Sequence, residues 1–177
     1  MKAKKQKAIY LAIAATTIDG KIAKDSRHMS DWTSKEDKDF LHEMLDTCDV
    51  VIIGNNTYKT AVKPLSKRNC IVFSRSVNQP IRKSEKLMYL NPEKSNIKTF
   101  IKNAGYKKIA ILGGAQTYTY FLENNLLDEI YLTIEPIVFG GGINLFASKQ
   151  TNDYHFKLNS AKKLNKKGSL LLLYKRV

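Results

Sequence analysis

The stretch IAILGGAQTYTYFL, residues 109–122, is the part of the sequence that decides the predicted fold. A short apolar strand meets two glycines, Gly113 and Gly114, and the chain then continues as a helix. Glycine lets the backbone approach a ligand closely, and the start of a helix offers free N–H groups to an anion. The pattern therefore predicts a strand-to-helix turn suited to pyrophosphate, although a plain tight turn without a ligand fits these residues equally well.

In three other stretches, a predicted strand is also followed by glycine or by polar residues that could contact a ligand. VVIIGNNTYKT, residues 50–60, repeats the strand, glycine and helix design, and IVFSR, residues 71–75, ends a strand with Ser74 and Arg75. AIAATTIDGKIA, residues 12–23, is a strand followed by a long polar loop that reaches Trp32. A long loop beside a buried strand is often a lid, so Trp32 either caps a pocket or anchors the loop in the core.

Strands and helices alternate outward from these stretches and finish in a hairpin. The pattern predicts strands at 9–15, 49–53, 69–74, 87–90, 108–112, 129–135, 154–164 and 169–176, and helices at 34–47, 55–61, 96–104 and 115–124. We expect one α/β domain over residues 1–177, with three layers and a mostly parallel central sheet of about eight strands. Helices cover both faces, a C-terminal antiparallel hairpin closes the sheet, and ligands bind at the carboxyl ends of the strands.

The composition of the 177 residues narrows the classes of function. A net charge of +14 raises the hypothesis of a nucleic-acid-binding module. Only five of the 30 basic residues are arginine, however, and the lysines are spread along the chain, so a solvated surface with no specific nucleic-acid partner is favoured. No apolar run is long enough to span a membrane, the lead MKAKKQK reads as a lysine-rich entry to the first strand, and we expect a cytoplasmic protein. Cys48 and Cys70 match no metal motif.

Asp37 is the main candidate for a carboxylate that contacts a ligand. Ser34 is a plausible N-cap for the predicted helix at 34–47, and Asp37 and Leu41 lie one turn apart on its apolar side. A flat apolar ligand could meet the carboxylate there. The alternative is that Asp37 only compensates the positive end of the helix dipole.

Taken together, these motifs resemble the dihydrofolate reductase family over nearly the whole chain. The motifs that carry the resemblance are Asp19 and Ile22 after the first strand, Trp32 followed five residues later by Asp37, Gly54 with Thr57, Pro64-Leu65 with Arg68 and Asn69, Gly113-Gly114 with Tyr118, and Tyr131-Leu132-Thr133. Asn55 departs from the pattern, because the family usually has arginine there.

The resemblance implies NADPH as cofactor, no metal, and roles for particular residues. The implied catalytic residues are Asp37, Trp32, Thr133 and Tyr118. The implied cofactor-binding residues are Ala14, Ala15, Ile22, Gly54, Asn55, Asn56, Thr57, Ser74, Arg75, Leu112, Gly113, Gly114, Ala115, Gln116, Thr117 and Tyr118. The implied substrate-binding residues are Ile13, Asp37, Leu41, Leu65, Arg68 and Thr133, with Arg68 pairing with a carboxylate tail.

Two substrates remain open on these residues. The first hypothesis is reduction of dihydrofolate to tetrahydrofolate, favoured by Asp37 and the Pro64 to Asn69 segment. The alternative is the pyrimidine reductase of riboflavin synthesis, which shares the fold and is favoured by Asp19-Gly20-Lys21-Ile22 and Phe139-Gly140-Gly141-Gly142. Either would act on a small molecule as a monomer or homodimer. A non-catalytic nucleic-acid-binding module is the third and weakest hypothesis.

Overall fold

Strands and helices alternate along the chain much as the sequence predicts. The structure is a computed structural model and describes residues 7–177, so the greater part of the lysine-rich lead, residues 1–6, lies outside the described residues. The strands are β1 (Ile9–Thr17), β2 (Lys21–Ala23), β3 (Val50–Gly54), β4 (Cys70–Phe73), β5 (Ile81–Arg82), β6 (Leu87–Leu90), β7 (Lys108–Ile111), β8 (Glu129–Glu135), β9 (Ile143–Asn144), β10 (Phe156–Lys163) and β11 (Leu170–Arg176). The helices are α1 (Lys35–Asp46), α2 (Asn55–Leu65), α3 (Ile97–Ala104) and α4 (Ala115–Glu123), with a 3-10 turn at Ser30–Trp32. None of the helices within residues 7–177 is long and apolar enough to cross a membrane.

Nine of the strands form one sheet, in the order β10-β11-β8-β1-β7-β3-β4-β6-β5. The neighbours from β8 through β6 run parallel, while β11 and β10 continue antiparallel beyond β8, and β5 is antiparallel to β6. The predicted class, a mostly parallel sheet that finishes in an antiparallel hairpin, is confirmed. The additional strand is Ile81–Arg82, whose two residues are too few to show any periodicity.

Alternation along the buried strands sorts the core into two clusters. Val50 and Ile52 belong to the cluster that α3 and α4 cover, whereas Val51 and Ile53 belong to the cluster under α1 and α2. Successive strand residues point to opposite faces of a sheet, so a continuous apolar run is what a strand covered on both sides requires. The helices therefore lie on both faces, as predicted.

Two segments predicted as loops pair instead as a small second sheet, in which β2 runs antiparallel to β9. The carboxylate of Asp19 links the two segments that form this small sheet. It accepts hydrogen bonds from the Thr17 hydroxyl at 2.6 Å and from the N–H groups of Phe139 at 3.2 Å and Gly140 at 3.0 Å. These bonds, chiefly that from Thr17, hold the pKa of Asp19 below its usual value. Gly142 is required where the segments cross, since it has φ +130° and a Cβ there would lie 2.3 Å from the Ala23 carbonyl oxygen.

The ends of α1 and α2 decide where two predicted site segments lie. Ser34 caps α1 as predicted, and its hydroxyl accepts a hydrogen bond from the N–H of Asp37 at 3.3 Å. Helix α2 continues to Leu65, past its predicted end at residue 61, and includes Pro64 in its last turn. Proline has a helical φ and at this position removes only one hydrogen bond near the helix end. Pro64 and Leu65 are therefore residues of the last turn of α2.

Phe121 gives a test of this packing. Its ring is 0% exposed, stacks on Phe73 with centroids 5.7 Å apart and packs against Tyr10 at 5.5 Å. We expect Phe121→Ala to lower the free energy of unfolding by about 3–5 kcal/mol, because it leaves a cavity in a dense core. The matched control is Val62→Ala at a side chain 47% exposed, with an expected loss below about 0.5 kcal/mol. Urea denaturation measures both, and similar losses would contradict the assigned core.

Candidate active site

A cleft of about 1010 Å³ opens at the carboxyl ends of β1, β3, β4 and β7. This is the edge at which open parallel sheets bind ligands. The predicted site residues that line it are Ile13, Ala14, Ala15, Ile22, Trp32, Asp37, Leu41, Gly54, Asn55, Asn56, Thr57, Leu65, Ser74, Arg75, Leu112, Gly113, Gly114, Ala115, Gln116, Thr117 and Tyr118. Thr133 and Arg68 are the two predicted residues that do not line it.

Two glycine turns meet at the centre of this cleft. The N–H of Gly54 donates to the carbonyl oxygen of Gly113 at 2.6 Å, which joins the end of β3 to the end of β7. A Cβ on Gly54 would lie 2.9 Å from the Thr117 hydroxyl oxygen, and a Cβ on Gly114 would lie 3.1 Å from that of Thr57. The two helices that follow can therefore start side by side only because neither turn carries a side chain.

The starts of α2 and α4 form a surface with free donors. Their N-caps are Gly54 and Gly114, which have no side chain to bond the first N–H groups. The first N–H groups of a helix have no partner within it, and the helix dipole places partial positive charge at the same point. Two such termini that face one cleft suit a ligand carrying more than one phosphate.

Ser74 and Arg75 lie at the rim of the cleft, just after β4. Ser74 is buried, and its hydroxyl shares a hydrogen bond of 2.7 Å with that of Ser76. Arg75 is exposed and lines the cleft. An exposed guanidinium beside a cleft is a good partner for a phosphate group.

Tyr118 lies under the Gly113 turn and is a supporting residue. Its hydroxyl donates to the carbonyl oxygen of Ile13 at 2.7 Å, which connects α4 to β1. Burial raises the pKa of Tyr118 far above its usual value, and the nearby charge of Asp37 adds to the effect. The phenol keeps its proton and already uses it in this bond, so its contribution is to position the turn.

Asp37 lines the cleft from the first turn of α1. It is 8% exposed, and burial raises the pKa of its carboxyl group above 3.8. Hydrogen bonds with the hydroxyls of Thr133 and Thr33 lower that pKa, the negative charge of Glu135 raises it, and Lys38 lowers it slightly. The result is a carboxyl group with increased proton affinity, set beside the apolar side chains of Ile13 and Leu41.

Trp32 lines the cleft from the polar loop that follows β1. Its ring packs edge-to-face on Phe139, with centroids 5.1 Å apart. Its indole nitrogen is buried and has no hydrogen-bond partner among residues 7–177. That N–H group is therefore available to a molecule bound in the cleft, while the ring anchors the loop.

Arg68 does not have the position that the sequence predicts. Its guanidinium pairs with the carboxylate of Asp46 and donates to the carbonyl oxygen of His42 at 3.4 Å, against the last turns of α1. The extension of α2 to Leu65 leaves only a short turn before β4, and that turn directs Arg68 to the helix. Arg68 therefore lies outside the cleft, and its expected role in binding a substrate carboxylate stays a prediction.

Some residues of the site escaped the sequence analysis. Lys38 and His42 line the cleft beside Leu41. Lys38 lies three residues before Leu41 and His42 four residues after Lys38, so helical spacing would have placed them near that face. Glu135 is 5% exposed at the end of β8. A charged residue that directly follows the apolar Ile134 at the end of a strand was the available signal for it.

Several solved structures share this fold. A pyrimidine reductase-like protein from Corynebacterium diphtheriae is 18% identical, with a TM-score of 0.77 over 97% of this chain and 93% of that protein. The diaminohydroxyphosphoribosylaminopyrimidine deaminase/5-amino-6-(5-phosphoribosylamino)uracil reductase of Thermotoga maritima is also 18% identical, with a TM-score of 0.72. That match covers 98% of this chain but 58% of the Thermotoga protein. At these identities the likeness establishes the fold.

Sequence comparison adds relatives of similar length. The uncharacterized protein YwjB of Bacillus subtilis is 29% identical over 162 residues, which span 87% of this chain and 89% of YwjB. The family described as RibD C-terminal domain matches residues 9–169, a range that contains both glycine turns and Asp37. Because the match covers nearly the whole chain, from the first residue of β1 to the residue before β11, this protein belongs to the RibD C-terminal domain family.

Proposed function

We propose that this protein is an NADPH-dependent reductase that acts on an aminopyrimidine with a phosphorylated sugar-derived chain. The observation that carries the proposal is the one cleft that joins two glycine-capped helix termini to the buried carboxyl group of Asp37. Donors for a polyphosphate and an acceptor for a heterocycle thereby face the same space. Family membership and the reductase named for the Thermotoga protein support this substrate class.

The cofactor end fits NADPH because its glycines leave room for a closely held polyphosphate. A side chain at Gly54 or Gly114 would crowd Thr117 or Thr57 and fill that room. The pyrophosphate would be held by the start of α4 (Gly114, Ala115, Gln116 and Thr117), by Thr57, and by the start of α2 at Asn55 and Asn56. The ribose 2′-phosphate would bind Arg75 and Ser74. The nicotinamide would contact Ala14, Ala15, Ile22 and Leu112. Bound NADPH supplies the hydride, and the cleft excludes water around it.

The substrate end offers a flat apolar slot with one acidic group. Ile13 and Leu41 would contact the two faces of a heterocyclic ring, and Asp37 would accept hydrogen bonds from its amino and N–H groups. A carboxyl group with raised proton affinity also suits a reaction in which the acceptor gains a proton together with the hydride. Lys38 and His42 of the same helix also line the cleft, and their side chains could contact an anionic chain.

Dihydrofolate is the second candidate, and Asp37 is the observation that favours it. Its acidic side chain is well placed to bind the amino and ring N–H groups of a pterin. The pairing of Arg68 with Asp46 argues against this substrate, since the residue expected to hold the glutamate tail lies outside the cleft. The aminopyrimidine is therefore the preferred substrate class.

Nicotinamide absorbance decides between the candidates. With NADPH in excess, we expect oxidation when 5-amino-6-(5-phosphoribosylamino)uracil is added, and much slower oxidation with dihydrofolate. Faster oxidation with dihydrofolate would favour the second candidate. No oxidation with either substrate would refute a reductase of this class.

The Gly114→Val variant tests the cofactor end. A branched side chain would meet the Thr57 hydroxyl, since even its Cβ would lie 3.1 Å away. We expect the Kd for NADPH to rise at least about tenfold, equivalent to about 1.4 kcal/mol, with the fold retained. Gly141→Val is the control, because a Cβ there meets nothing within 4 Å. Fluorescence titration with NADPH measures both, and unchanged binding by Gly114→Val would remove the turn from the cofactor site.

The Arg75→Ala variant tests the choice between NADPH and NADH. A charge-assisted hydrogen bond contributes about 1.5–3 kcal/mol, so we expect NADPH to bind roughly ten- to a hundredfold more weakly while NADH binding stays the same. Arg82→Ala, in which a guanidinium bonded to the Glu85 carbonyl oxygen is lost, should leave both affinities unchanged. An equal loss for the two nucleotides would show that Arg75 does not recognise the 2′-phosphate.

The Asp37→Asn variant tests the acidic group. We expect turnover to fall most at neutral pH and to recover partly in acid, where solution supplies the proton. We also expect a higher melting temperature at neutral pH. The folded-state pKa of Asp37 lies above 3.8 because of burial, so the ionised form destabilises the folded protein and the difference disappears as the pH falls toward 3.8.

The control for this variant is Asp39→Asn on the same helix, where the side chain is exposed and pairs only with Lys35. It should change neither turnover nor the pH dependence of melting. Normal turnover by Asp37→Asn at neutral pH, or a melting temperature below that of the wild type across the pH range, would contradict the assigned role.

A further inference from the structure

Glu135 is a buried carboxylate outside the cleft. It ends β8, is 5% exposed, and accepts hydrogen bonds at one oxygen from the Ser34 N–H at 2.8 Å and the Ser34 hydroxyl at 2.7 Å. Its other oxygen accepts from the hydroxyl of Ser169. Three donors thus satisfy a charge that would otherwise be very costly to bury.

These bonds connect Glu135 to the backbone that carries Asp37. The hydroxyl group of Ser34 donates a hydrogen bond to Glu135, and the oxygen of that hydroxyl accepts one from the N–H of Asp37 at 3.3 Å. Thr133, two residues earlier on β8 and hence on the same face of the sheet, hydrogen-bonds the Asp37 carboxyl group. β8 therefore holds both the backbone and the side chain of Asp37.

The turn between β10 and β11 supports the arrangement from the other side. The side-chain amide of Asn165 donates to the Ser169 hydroxyl at 2.9 Å and to the carboxylate of Glu36 at 3.2 Å. The start of α1 is thus held by Glu135 and Asn165, which are remote in sequence, and Ser169 bonds both of these residues.

We propose that Glu135 is a positioning residue for Asp37, which holds the first turn of α1 against β8 and places a second negative charge behind the acidic group. The proposal rests on the proposed function, in which Asp37 meets the substrate. A neutral acceptor would cap the helix equally well, so the charge of Glu135 calls for a reason beyond capping.

The charged and titratable groups around Asp37 show what that charge does. Lys38 on its own helix lowers the pKa of Asp37, while Glu135 from β8 raises it. Tyr118 from α4 also faces Asp37 but stays neutral. Burial is the main cause of the raised pKa of Asp37, and the charge of Glu135 adds to it against the opposing charge of Lys38.

Carbon-13 NMR titration of the Asp37 carboxyl carbon tests the proposal without any substrate. The Asp37→Asn spectrum assigns the signal. In Glu135→Gln, which keeps an acceptor for Ser34 and removes the charge, we expect the titration midpoint of Asp37 to fall. Glu129→Gln is the control, the same change at the opposite end of β8, and should leave the midpoint unchanged.

A midpoint in Glu135→Gln equal to that of the wild type would overturn the proposal, as would an equal fall in both variants. Ser34→Ala separates charge from capping, because it should lower the melting temperature while the midpoint stays raised. If Glu135→Gln does not fold, Glu135→Met removes the charge at similar volume and should show the same fall. Failure of both variants to fold would also overturn the proposal, since Glu135 would then be essential to the fold itself.

Activity gives a separate readout. In Glu135→Gln the pH at which turnover is half lost should fall by the same amount as the NMR midpoint, with the Kd for NADPH unchanged. A wild-type protein that oxidises NADPH with neither substrate would refute the proposed function, while the titration would still decide the relation between Glu135 and Asp37.

Discussion

The hydrogen bond from the N–H of Gly54 to the carbonyl oxygen of Gly113 is the contact on which the site depends. It continues the parallel pairing of β3 with β7 to the last residue of β3 and past the end of β7, at a separation that leaves no room for side chains. Parallel strands must be joined by crossover helices, so α2 and α4 both begin at this edge of the sheet. The free N–H groups at the starts of the two helices therefore face the same cleft, and no further interaction is needed to orient them.

The acidic end of the cleft has a different origin. Asp37 lies close to a second carboxylate, and two like charges in a buried region destabilise a folded protein unless each is well hydrogen-bonded. Ser34, Ser169, Thr33 and Thr133 provide these bonds. Hydroxyl groups suit this role because they can donate to either carboxylate without adding charge. The arrangement sacrifices some stability for a carboxyl group that binds its proton more tightly.

Much of this structure follows from local patterns in the sequence. The continuous apolar run at Val50 to Ile53 predicts a strand covered on both faces, and Ser34 followed by Asp37 and Leu41 predicts the start and the inner face of α1. The glycine turns are similarly local, since Gly113 and Gly114 interrupt an apolar strand and a helix follows at once. These features need only neighbours within a few residues.

What the sequence analysis missed depends on partners remote in the chain. Arg68 has the residue type that a carboxylate ligand needs, but the length of α2 turns it toward Asp46. The position of Glu135 depends on hydrogen bonds with Ser34 and Ser169, which lie 101 and 34 residues away in the sequence. The two-residue strand β9 likewise exists only because β2 lies opposite.

The position of β1 also has a consequence for the order in which the chain folds. β1 pairs with β7 and β8, so that Ile9 lies beside Lys108 and Leu11 beside Glu129. By contrast, β3 and β4 pair across the single helix α2, with Val51 beside Cys70. Closing a long loop costs more conformational entropy than closing a short one, and contacts remote in sequence slow folding. We therefore expect the β3-α2-β4 unit to pair before β1, which lies between β8 and β7 inside the finished sheet, finds its partners.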